Sequence, residues 1–102
     1  LGNRRSWLAH VLVPEGELCL DQGACQALLH RGASLLLVGV TAVKGQFEAN
    51  RPVLLRDSEG QELGRGLCTL NSSQVRQALS VVTDAEASPV VVHRDALVLQ
   101  DR

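Results

Sequence analysis

Residues 16–48 read GELCLDQGACQALLHRGASLLLVGVTAVKGQFE, and several kinds of local structure follow one another in them. GELCLD reads as a short extended piece. Asp21 then offers a side-chain oxygen to the amides of a first helical turn, as an N-cap does. Ala24, Cys25, Leu28 and Leu29 follow at helical spacing, with His30 and Arg31 in the last turn and Gly32 as the stop. From Ser34 the pattern changes: SLLLVGVTAVKGQF is β-rich, and Gly39 and Gly45 are expected to bend it. Gly39 is expected to hold a conformation that a Cβ would strain, and to let backbone come close to a partner or another strand.

Outward from this run, PVLLRDSEGQELGRGLCTL (52–70) predicts a hairpin of two apolar strands around the turn residues Asp57, Ser58, Glu59 and Gly60. Gly64 and Gly66 suggest a bulge in its second strand. Asn71 or Ser72 caps a second helix over roughly 73–82, with Val75, Leu79 and Val82 on one face, and Asn71 with Gln74 has the spacing of a capping box. Residues 90–99, VVVHRDALVL, predict two strands or one strand bent at Arg94. On the other side, WLAHVLV (7–13) predicts a strand closed by Pro14 and Gly16. Short, sequential, glycine-punctuated strands suggest a small, closed or partly closed antiparallel barrel with helices capping its openings.

Length and composition narrow the field. A chain of 102 residues is one domain, with a core that buries roughly two-thirds of the unfolded surface. Trp7 and Phe47 are its aromatic residues, so the core is expected to be aliphatic and base-stacking platforms are few. A net charge of −1 excludes nucleic-acid binding driven by bulk charge. Residues 22–56 nevertheless hold Arg31, Lys44, Arg51 and Arg56 against Glu48, which leaves room for a local basic face. Cys19, Cys25 and Cys68 form no C-x-x-C pair and read as reduced, buried small hydrophobes, as a cytoplasmic protein would carry. No apolar run is long enough for a membrane span, and no signal peptide is visible. The chain begins without Met and reads as a piece of something longer, with residues 1–6 as a linker and residues 7–102 as the domain.

His93, Arg94 and Asp95 interrupt an apolar run and match the first three letters of the protein-kinase catalytic loop H-R-D-x-x-x-x-N. The position five beyond Asp95 is Gln100 rather than Asn, and no Gly-rich loop or D-F-G accompanies it, so the kinase reading fails. Gly64-Arg65-Gly66 lacks a third glycine and a βαβ setting. His10, His30 and His93 have no ligand partners at zinc spacing. Asn71-Ser72-Ser73 has the form of a glycosylation acceptor, but helix capping explains it. The stretch GASLLLVGV (32–40) reads either as barrel geometry or as a surface where Arg31, Ser34 and exposed amides meet phosphates or a partner protein.

Together these stretches resemble the PUA domain found at the C-terminus of bacterial glutamate 5-kinases. The family pattern G-x-L-x-x-D-x-G-A-x-x-A-L-x-x-x-G-x-S-L-L-P-x-G-V-x-x-V-x-G-x-F is matched by Gly16, Leu18, Asp21, Gly23, Ala24, Ala27, Leu28, Gly32, Ser34, Leu35, Leu36, Gly39, Val40, Val43, Gly45 and Phe47. Asp57, Gly60, Glu62, Arg65, Gly66 and Leu67 match the hairpin, and His93, Arg94 and Asp95 match the terminal V-I-H-R-D. Leu37, Ala33 and Leu70 depart from the usual Pro, Lys and Tyr, which removes a phosphate-type contact and a stacking ring. The resemblance implies a mainly β, PUA-like pseudo-barrel of mixed strands with two short α-helices. It also implies a chain with no catalytic residues or cofactor of its own, ATP and magnesium belonging to a kinase domain elsewhere in the parent. Expected partners are that kinase domain, further copies in a homo-oligomer of the parent, and, as the alternative, RNA. The face implied by the first helix and following strand holds Arg31, Ser34, Gly39, Val40 and Lys44. His93 and Arg94 join it from the last strand, where Asp95 is expected to cap an amide while they face outward.

Overall fold

A computed structural model describes residues 13–80 and 89–99 of the chain. The expected linker, most of the strand expected over residues 7–13, and Val82 lie outside them. Among the described residues, strands β1 (Gly16–Leu20), β2 (Leu35–Leu36), β3 (Val40–Gly45), β4 (Arg51–Arg56), β5 (Glu62–Cys68) and β6 (Val90–Leu99) form one sheet in the order β2-β6-β5-β4-β1-β3. Two helices complete it, α1 (Gln22–Arg31) and α2 (Ser72–Leu79).

The sheet is mixed, as the family resemblance implies and the strand pattern alone does not. β1 runs antiparallel to β3 but parallel to β4, with Gly16 facing Val53 and Leu18 facing Leu55. The reason is the length of the excursion after β1. The chain passes through α1, β2 and β3 before β4, and parallel neighbours need a crossover of that kind. The hairpin of β4 and β5 is as the sequence predicts, with Asp57 Oδ1 accepting from the Glu59 and Gln61 amides at 2.9 Å each and Gly60 at φ +85°.

Both helices start where their caps place them. Asp21 Oδ1 accepts from the Ala24 amide at 2.7 Å, and Gly32 ends α1 in the left-handed conformation. Asn71 and Gln74 close a reciprocal capping box on α2 at 2.8 and 2.9 Å. Ser72 is buried and ties α2 to the segment before β4: its amide donates to Phe47 O at 3.0 Å and its Oγ accepts from Phe47 N at 3.2 Å. The core is aliphatic, built from Leu18, Leu20, Leu28, Leu35, Leu55 and Leu63 among others, with Phe47 at its margin. Cys25 and Cys68 are buried within it, whereas Cys19 is half-buried.

The β-rich run after α1 is split by a 3₁₀ turn over Leu37–Gly39. Gly39 is not in the left-handed region, so the expected backbone strain is not what demands glycine there. Close packing demands it: a Cβ on Gly39 would lie 2.5 Å from the Ala24 Cβ of α1. The Asp21 amide donates to Gly39 O at 2.9 Å, which seats the start of α1 on the turn.

Candidate functional site

β6 is one continuous strand, and its middle explains the three adjacent ionisable residues. Along the β5–β6 ladder Gly66 faces Leu97 and Cys68 faces Val92, so two steps on β5 are matched by five on β6. His93, Arg94 and Asp95 are the excess. They bulge out of the ladder and all three are exposed, while Val91, Val92, Leu97 and Val98 on either side are buried. The bulge suggested for β5 is present beside Gly64, where one step on β4 from Leu55 to Arg56 is matched by two on β5 from Gly64 to Glu62; the larger irregularity at Gly66 is in β6. Gly66 makes room for it, since a Cβ there would lie 2.5 Å from Val92 Cγ1.

Ser34 pins this bulge. Its Oγ accepts from the Arg94 amide at 2.9 Å, the role expected of Asp95. Ser34 stands immediately before β2, whose Leu35 pairs with Val92, so the end of α1, the start of β2 and the bulge are brought together. Between α1 and the β2–3₁₀ segment runs a groove of about 380 Å³. Ala24, Ala27, Leu36 and Val38 give it an apolar lining, Arg31 and Ser34 line it at the end of the helix, and Gly39 closes against Ala24. Val38 is 37% exposed.

Four of the residues expected on this face thus meet: Arg31, Ser34 and Gly39 line the groove, and Arg94 adjoins it through Ser34. His93 is carried on the same bulge. Val40 is buried in the core. Lys44 lies on β3 opposite Glu17 and lines a different hollow, with Glu15, Glu17, Glu62 and Arg65. Ala27 and Val38 were not among the individual site residues expected from sequence. No alternation in the sequence marks Val38, since residues 35–38 are all apolar; only the fold separates buried Leu35 and Leu37 from half-buried Leu36 and exposed Val38.

The charges outside the groove are mostly spent. Arg51 pairs with Glu15, Arg56 with Glu17 and Arg65 with Glu62. Arg76 donates to Gly45 O at 2.7 Å. The Arg56 hydrogen bond holds the Glu17 carboxyl below the usual carboxylate range; burial opposes it, and the charges of Arg56 and Lys44 add smaller downward pulls. Burial pushes the Cys68 thiol up, partly offset by a backbone hydrogen bond at Leu70. Among the described residues no group of three or more His, Cys, Asp or Glu is gathered as a metal site would need, and no helix is long and apolar enough to cross a membrane.

Residues 16–85 match the PUA domain family. The whole chain is 97% identical over 102 residues to a glutamate 5-kinase of Synechococcus sp. strain CC9902, of which it spans 29%. Among solved structures, a PUA domain from Aeropyrum pernix K1, crystallised as a tartrate complex, is similar over 78% of this chain and 41% of that one, at 26% identity and TM-score 0.67. An H/ACA RNP bound to a substrate RNA contains a similar fold over 76% of this chain and 22% of that one, at 17% identity and TM-score 0.60.

Proposed function

The chain belongs to the PUA domain family, and from that premise we propose that it serves as the non-catalytic C-terminal domain of a cytoplasmic glutamate 5-kinase. In that reading it packs on the kinase domain and tunes catalysis, proline inhibition or assembly. The observation that carries the proposal is the 97% identity to a glutamate 5-kinase along the entire chain. The reaction itself, transfer of a phosphoryl group from ATP to the side-chain carboxylate of glutamate as the first step of proline synthesis, falls to the kinase domain with its magnesium.

The test is a comparison of the full-length enzyme with a form lacking these 102 residues, reading kcat, KM for glutamate, proline inhibition and assembly state. A regulatory domain changes proline inhibition or assembly when removed. Unchanged behaviour in every readout would reject the proposal.

RNA binding is the second reading, favoured by the fold shared with the PUA-containing ribonucleoprotein and by Arg31 beside Ser34. Few bases mean few phosphate contacts, so affinity is expected no better than about 10⁻⁴ M at physiological salt. A fluorescence titration with a structured RNA decides it: sub-micromolar binding abolished by Arg31→Ala with Arg94→Ala would make RNA recognition the primary role.

A further inference from the structure

The arginines among the described residues divide into two sets. Arg51, Arg56 and Arg65 are neutralised by glutamates on the sheet, and Arg76 is held by a backbone carbonyl. Arg31 and Arg94 are exposed, and neither guanidinium has a hydrogen-bond or ion-pair partner among the described residues. Both belong to the groove side of the molecule: Arg31 lines the groove, and Arg94 is bound through its amide to groove-lining Ser34. Two acids are near. Asp21 caps the start of α1, the opposite end of the ten-residue helix from Arg31 and roughly 15 Å along it, and Asp95 is exposed on the bulge beside Arg94 without forming an ion pair with it among the described residues.

The groove beside these cations is mostly apolar. Ala24, Ala27, Leu36 and Val38 line it, Asp21 lies at its far end, and no described residue of the lining is aromatic. Nucleic acid is a poor fit to such a surface, because stacking on aromatic side chains supplies about 1–3 kcal/mol per base and none of the described lining residues supplies it. An aliphatic side chain fits the lining, and carboxylates fit the two unspent guanidiniums, which match them in bidentate geometry.

We infer that the groove seats a protein segment in which an aliphatic residue is flanked by Asp or Glu, and that the segment comes from the kinase part of the full-length protein. This rests on the regulatory reading above. In the Synechococcus relative, most of the polypeptide lies outside the matched part. A tethered segment meets the groove at an effective concentration on the order of millimolar, so a few aliphatic contacts and two rim ion pairs are enough to hold it.

The experiment uses the full-length protein with a photo-reactive diazirine amino acid in place of Val38. Irradiation is expected to yield one main adduct within the protein, to a segment outside the 102 residues that carries an aliphatic residue beside Asp or Glu. Arg31→Glu with Arg94→Glu is expected to lower the yield about fivefold, the scale of two exposed ion pairs reversed in sign, while Lys44→Glu leaves it unchanged. An adduct to RNA, an adduct to a segment without acids, indifference to the double charge reversal, or no adduct would each overturn the inference. Truncation keeps the two proposals separable. If removing the domain alters proline inhibition but the cross-link fails these criteria, the groove assignment falls alone. If removal changes nothing, the regulatory reading falls whatever the cross-link shows.

Discussion

Gly39 is replaceable in its backbone angles but not in its volume. A Cβ there meets Ala24 Cβ at 2.5 Å, so Gly39→Ala is expected to cost about 1–3 kcal/mol through overpacking, read as a lower urea midpoint. Gly39→Val should cost more. Placing the small residue on the other side, Ala24→Gly with Gly39→Ala, should recover part of that loss, less roughly 1 kcal/mol for glycine inside a helix. A double variant no more stable than Gly39→Ala would show that the contact with α1 is not the cause. The cysteines differ in the same local way: Cys19 is half-buried, whereas Cys25 and Cys68 are buried and the Cys68 thiol is pushed up by that burial. A thiol reagent at neutral pH should label Cys19 quickly and the other two only on unfolding. Glu17 provides the pH signature. Its folded pKa is lowered by Arg56, so the stability it contributes is present above the ordinary carboxylate range and is lost as pH falls through the lowered value. Arg56→Gln should move the Glu17 titration, followed by NMR, back upward.

At the level of elements, the caps and the bulge carry the argument. Asn71→Ala removes one half of a reciprocal capping box and should cost about 1 kcal/mol, measured by denaturation. The bulge of β6 is held at its midpoint by the Ser34 hydroxyl. Ser34→Ala should leave the fold intact, with a loss of about 0.5–1.5 kcal/mol typical of one hydrogen bond, and should speed hydrogen exchange at the Arg94 amide selectively. Exchange at Arg94 unchanged by the substitution would show that the bulge is rigid without it. β-strand periodicity located β4, β5 and β6, and of the two readings of residues 90–99 the single strand bent at Arg94 is the one found, though the sequence did not show that the bend is a three-residue bulge. Three ionisable residues inside VVVHRDALVL mark an irregularity, yet which strand absorbs it depends on how far β5 and β6 are offset, and that offset is a property of the pair.

For the whole molecule, the expectation is that this domain alone does not phosphorylate glutamate. Purified residues 1–102 incubated with ATP, magnesium and glutamate should give no γ-glutamyl phosphate. Product formation would overturn that expectation. The same scale separates the two candidate faces. Lys44, grouped with Arg31 by sequence neighbourhood, lies beside Glu17 on the sheet, while Arg94, sixty-three residues from Arg31 in the chain, adjoins the groove through Ser34.

Helix positions, the β4–β5 turn, the aliphatic core and the family pattern were legible in the chain because each depends on residues close in sequence: a cap and the amides three positions on, a glycine and its own torsions, an alternation of Leu and Val. The parallel pairing of β1 with β4, the three-residue bulge of β6, and the packing that requires Gly39 were decided only in the tertiary structure. Each depends on which distant segments become neighbours. So does the groove. Its lining comes from α1 and the segment after it, but the charge beside it depends on Glu15, Glu17 and Glu62 reaching Arg51, Arg56 and Arg65 and on Arg31 and Arg94 being unpaired among the described residues. A net charge of −1 says nothing of that partition, since Coulomb attraction selects partners by distance in the folded molecule.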